Sequence, residues 1–169
     1  MSLKSYVLAA GLMAAAVAGW AESHTPIMVE GAYARVSSPT AKTGAIFLEI
    51  ENRADVADRL IDVKSDVATR VELHTHKEGE NGIMQMLHVS EGIVIPADGH
   101  HELKRGGDHV MLMGLHHGLR DGDTVPLTLV FEQAGEVKIK VSVDLDRKPG
   151  ADAHGGHDDH DHSGHDHGN

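Results

Sequence analysis

From Ile27 to Val143 the chain is a run of short apolar-alternating segments cut by turn residues, and none of them holds a helical period. "MVEGAYARV", "TGAIFLEIEN", "DRLIDVKS", "TRVELHTH", "GIMQMLHV", "GIVI", "HELK", "HVMLMGL", "TVPLTLVFE" and "EVKIKVSVDL" follow one another. The breaks between them carry Pro, Gly, Asn and Asp, as in "ENG", "PADG", "RGGD" and "RDGD". Such residues pre-set turn geometry, and a two-residue period puts successive side chains on opposite faces of a strand. Many short strands at regular spacing predict an all-β, antiparallel β-sandwich or barrel. The last two segments, joined by "QAGE", read as a scaffold hairpin with Val137, Ile139, Val141 and Val143 on one face.

The flanks differ from this middle. Residues 1–21, "MSLKSYVLAAGLMAAAVAGWA", have a basic residue, an apolar run and small residues at Gly19 and Ala21 before a cut at Glu22. That is the pattern of a secretory signal peptide. Residues 22–146 form the folded domain on this reading. Residues 147–169, rich in Asp, Gly and His, lack apolar residues to offset ordering entropy and read as a disordered tail. No cysteine is present, so an exported fold here has no disulfide and must be held by its core. The formal charge of −11 speaks against nucleic acid and anionic membranes as partners.

Two enrichments carry the chemistry. The chain has 15 His, and six of them (His154, His157, His160, His162, His165 and His167) lie in the tail. Met84, Met86, Met111 and Met113 cluster in the middle. Ligand-type residues recur at i, i+2 spacing on three segments: His74 and His76; Met84, Met86 and His88; His109, Met111 and Met113. Strand geometry puts each set on one face. On "HVMLM", Val110 and Leu112 then turn to the core.

If the first two segments form a hairpin in which paired residue numbers sum to 160, His74 faces Met86 and His76 faces Met84. Thioether sulfur is soft and selects Cu(I), and imidazole also suits copper, whereas zinc sites rarely use Met. A His/Met site without Cys reads as a Cu(I) transport site. Tail imidazoles interleaved with Asp suit Cu(II), Zn(II) or Ni(II), and a tail capturing Cu(II) is expected. His100, His101, His116 and His117 fall in predicted turns and are left out of the site. Without an HExxH, CxxC or Ser-His-Asp pattern, the chain is read as a non-enzyme.

At these residues the chain resembles the periplasmic copper chaperones of the PCuAC family. Their signature runs His, an optional Met, ten residues, Met, about twenty-one residues, then His-x-Met. Here His74 and Thr75 precede ten residues and Met86, and twenty-two residues then lead to His109-Val110-Met111. "GAYARVSSPTAKTGAIFLEIEN" and "GIVIPADGHHELKRGGDHVMLMGL" extend the likeness over about Gly31 to Val143. The extra residue in the second gap leaves Met84 open as an alternative to Met86.

The resemblance implies an all-β, cupredoxin-like antiparallel Greek-key β-sandwich and Cu(I) held by His74, Met86, His109 and Met111, with His76 at the margin. It implies a periplasmic chaperone that delivers copper to an acceptor such as the CuA centre of cytochrome c oxidase, beside Sco-type thiol proteins. A copper-sequestering resistance protein shares every one of these ligands, whereas in a zinc or nickel carrier led by the tail the Met cluster is core.

Overall fold

A computed structural model of the chain describes residues 26–79 and 82–148. The expected signal peptide and the six tail histidines lie outside the described residues. Ten strands follow in order: β1 (Ile27–Val36), β2 (Thr43–Asn52), β3 (Asp58–Lys64), β4 (Ala68–Glu78), β5 (Met84–His88), β6 (Ile93–Ile95), β7 (Gly99–Leu103), β8 (His109–Leu115), β9 (Thr124–Phe131) and β10 (Gly135–Val143). They match the apolar-alternating segments of the sequence. Histidines 100 and 101, expected in a turn, instead lie within β7, where they pair with Glu51 and Ile50 of β2. The alternation of "GHHEL" continues through them, and Leu103 is buried.

The hydrogen-bonded order is β5-β4-β8-β2-β1-β10-β9-β3-β6, with β7 on β2. Every pairing is antiparallel except β1 with β10, which meet only at Tyr33–Ser142 and Ala34–Val143. A bulge between Glu30 and Tyr33, with Gly31 at φ 61°, bends β1 at the crossing. β1 thus joins two layers, β5-β4-β8/β7-β2 and β10-β9-β3-β6, which close face to face as a cupredoxin-like sandwich. Between them pack Ile46, Leu48, Leu73, Val110 and Leu112 from one side and Leu60, Leu127, Leu129, Phe131 and Val141 from the other. Burial of this aliphatic set is the dominant favourable term for a domain without disulfides.

One detail of the first layer builds the site. β7 and β8 lie end to end along the same edge of β2: Leu48–Asn52 pair with β7 and Thr43–Ile46 with β8. Between them, Lys104–Asp108 leaves the sheet in a turn closed by Gly107 N–H donating to the Lys104 carbonyl at 3.1 Å. Gly106 sits there at φ 81°, a conformation that glycine adopts without strain. The chain re-enters the sheet at His109, with Arg105 and the Gly107 carbonyl on the outer face.

Candidate metal centre

β4, β5 and β8 bring the His/Met segments side by side on the face opposite the core. Across β4–β8, His74 lies opposite His109 and Glu72 opposite Met111. Across β4–β5, His74 lies opposite His88 and His76 opposite Met86. Paired numbers therefore sum to 162, not 160: the expected hairpin register is corrected by two residues. The turn accounts for this, because Gly79 N–H donates to the Ile83 carbonyl at 2.8 Å, and Gly82 takes φ 74°. An even shift keeps every side chain on its face. It carries Met84 out to the strand end opposite Glu78 and seats Met86 over the site.

Met86, Met111, His109 and His76 share a cleft of about 430 Å³ whose rim includes Arg35, Phe47 and Arg105. His74 lies behind it, its ring centroid 6.0 Å from that of His109. His76 stacks on His109 at 4.9 Å. Met113 is otherwise engaged: Arg70 Nη2 donates to its sulfur at 3.6 Å.

The two central imidazoles hold their protons on opposite nitrogens. His109 is 2% exposed, and its Nδ1–H donates to the Gly107 carbonyl at 3.0 Å, which leaves Nε2 with a lone pair. His74 Nε2–H donates to Glu72 Oε2 at 3.0 Å, which leaves Nδ1 bare. That Nδ1 is buried and has no hydrogen-bond partner among the described residues. A buried polar atom left unpaired costs about 1–3 kcal/mol, so its retention calls for a ligand. A carboxylate behind a histidine is the usual second partner of a metal-binding imidazole.

Charge is set to match. Burial pushes the His109 imidazole below its usual range, opposed by the Gly107 hydrogen bond and reinforced by His76 and His74. Burial and the two neighbouring imidazoles favour the neutral, ligating form, against the Gly107 hydrogen bond and the Asp108 charge. The hydrogen bond from His74 holds the Glu72 carboxyl below its ordinary value, against some desolvation.

Among the described residues, no three His, Asp or Glu groups converge as metal ligands. What does converge is imidazole with thioether, a set that suits a soft ion. Of the site residues read from sequence, His74, His76, Met86, His109 and Met111 all fall on this face. Glu72 and the two rim arginines were not read in advance. Glu72 stands two residues before His74, so the strand period could have found it. The arginines arrive from β1 and from the β7–β8 turn, which no local pattern reports.

A β-sandwich carrying an open His/Met cleft on its outer face is the class that fold and site define. The chain belongs to the LpqE-like family, whose model, described as "Putative lipoprotein LpqE-like", matches residues 27–143. It is 30% identical over 99 residues to "Putative lipoprotein Lxx21020" of Leifsonia xyli subsp. xyli, and the match spans 59% of the length of each. Among solved structures it resembles the copper-bound PCuAC domain from PmoF2, with TM-score 0.58 and 28% identity over 71% of this chain and 93% of that one. It likewise resembles CuI-DR1885 of Deinococcus radiodurans, with TM-score 0.57 and 30% identity over 75% and 84% of the two chains.

Proposed function

We propose that the protein is an exported copper chaperone, working in the periplasm, that holds Cu(I) between β4, β5 and β8 through His74, Met86, His109 and Met111. His76, stacked on His109 in the cleft, is the reserve donor. The observation that carries this reading is the buried, partnerless Nδ1 of His74 beside the free Nε2 of His109, on the face shared by the two thioethers. The copper-bound relatives support the choice of metal.

The burial gradient suits a carrier. Met86 stands on the edge strand at 45% exposure, while His109 is enclosed. An incoming acceptor donor displaces Met86 first and His109 last, so copper moves by stepwise ligand exchange and is never free in solution. Thioethers neither titrate nor form disulfides, which fits an oxidising compartment. The acceptor we favour is the CuA centre of cytochrome c oxidase, reached directly or beside a Sco-type thiol protein. The tail histidines His154, His157, His160, His162, His165 and His167 add capture of Cu(II).

The test is an anaerobic Cu(I) competition against a chromogenic chelator, using the chain ended at Lys148 and its Met86→Ala and Met111→Ala forms. One tight equivalent, weakened at least tenfold by either change, is expected. Binding that ignores both substitutions overturns the site. Transfer from the loaded protein to a CuA-domain acceptor then separates delivery from storage.

A further inference from the structure

The mouth of the metal cleft carries the opposite charge from the molecule around it. The chain holds 26 Asp and Glu against 15 Lys and Arg, a formal charge of −11. Among the described residues, the cleft lining includes Arg35 and Arg105 and no Asp or Glu. The acidic residues that flank its ligands are already paired, Glu72 with His74 at 3.0 Å and Asp108 with His101 at 2.9 Å. Neither Arg35 nor Arg105 has a carboxylate partner among the described residues.

The two arginines are held in place without being neutralised. Arg35 comes from β1 and Arg105 from the β7–β8 turn, and both donate to the Arg147 carbonyl, from Nη1 at 2.6 Å and Nη2 at 2.8 Å. The Arg105 guanidinium also lies 5.9 Å from the centroids of the Tyr33 and Phe47 rings. A carbonyl and an aromatic face orient a cation but cancel none of its charge. Each guanidinium has five N–H donors in a fork that matches a carboxylate, and the carbonyl takes one of them.

The cleft has an apolar border as well. Met84 and Met86 share one face of β5 at 55% and 45% exposure, and Met84–His88 contains no Asp, Glu, Lys or Arg. An apolar strip beside a charged rim is the make-up of a protein–protein contact. The net charge of the chain opposes an acidic partner, but charges more than about 10 Å away are largely screened at 0.1 M salt, and those at the contact are not. A cleft lined by one sign of charge focuses the field at its mouth.

We propose that Arg35, Arg105 and the exposed edge of β5 form the docking surface for a protein acceptor that bears carboxylates around its own Cu(I) ligands. The inference rests on the copper reading above and names the chemistry of the partner. In the transfer a Cu(I)–Met86 bond breaks as a bond from copper to an acceptor sulfur forms, and no electron moves. The arginines are positioning residues that meet the carboxylates of the acceptor and leave the copper to the His/Met set.

The experiment loads the exported full chain with one equivalent of Cu(I) under anaerobic conditions. Its probes are three peptides that share a central Cu(I)-binding run of methionines and differ only in flanks of Asp, Ser or Lys. Each carries a fluorophore that Cu(I) quenches, so stopped-flow mixing reads the transfer rate. At 0.1 M salt the Asp-flanked peptide is expected to take copper about fivefold faster than the Lys-flanked one. In 1 M salt the difference is expected to vanish. The double substitution Arg35→Gln, Arg105→Gln is expected to abolish the preference, and Arg35→Lys, Arg105→Lys to keep most of it. Lys138→Gln, Lys140→Gln changes the net charge equally on β10, away from the cleft, and is expected to retain the preference.

The proposal is overturned if the Lys-flanked peptide is served as fast as the Asp-flanked one or faster, the order that net charge alone dictates. It is overturned too if the Lys138, Lys140 variant loses the preference as fully as the arginine-to-glutamine form, since bulk charge then decides. Chelator competition on the same samples separates the two readings. With a tight Cu(I) equivalent present and no acidic preference, the docking inference alone falls. With no tight equivalent in any form, the copper site falls and the inference falls with it.

Discussion

Glu72 and the Gly107 carbonyl hold the protons of two imidazoles on opposite ring nitrogens, and each leaves its ring one nitrogen with a lone pair. Orientation of this kind is worth 10–100-fold in metal affinity at other sites. Glu72→Ala frees the His74 ring and is expected to weaken Cu(I) binding by about that factor, read by chelator competition, with little change in fold. His109 supplies a pH dependence. Its folded pKa lies below the ordinary imidazole value because it is buried. The unfolded chain therefore binds more protons as pH falls through about 6.5, and stability falls with it. Above that range both states are neutral and the effect vanishes. The metal-free protein is expected to melt at lower temperature at pH 5.5 than at pH 7.5, and His109→Asn to reduce the difference. Equal sensitivity in the variant would count against this assignment.

β8 divides its two faces between core and cleft, and this was the most legible element. The alternation of "HVMLM" assigned Val110 and Leu112 inward, and both are fully buried. It assigned His109 and Met111 to the other face, where they line the cleft. Less legible was anything that depends on how strands meet. The β4–β5 register turned on one glycine turn and came out two residues away, which moved Met86 from His74 to His76. The end-to-end placement of β7 and β8, which creates the Gly107 acceptor, is a tertiary event that the spacing of "KRGGD" does not encode. The face division gives a paired prediction. Leu112→Ala removes core volume and should cost about 2–5 kcal/mol in denaturant unfolding. Met111→Leu keeps the volume and should cost under about 1.5 kcal/mol while weakening Cu(I) binding. Comparable stability losses from both would mean that Met111 is core.

Over the whole molecule, the site sits where the sandwich is least tied down. β5 is an edge strand, exposed along its length, and among the described residues it pairs with β4 alone. Strands of that kind open locally at small free-energy cost. On the proposed ligand set, a Cu(I) ion bonded to Met86 and to His109 and Met111 would link β5 to β8 across β4, adding a cross-strand tie that the metal-free edge lacks. Ligand binding to the native state alone stabilises it by about 2.7 kcal/mol at 100 times the dissociation constant. The global increase should appear as a higher melting temperature on Cu(I) addition. The local one is more specific: amide exchange in Met84–His88 should slow by a larger factor than exchange in β9 and β10, whose pairing the metal does not touch. Met86→Ala should remove the excess protection of β5. A uniform slowing across all strands, unchanged in that variant, would place the ion away from the edge and remove the exposed first ligand on which stepwise release depends.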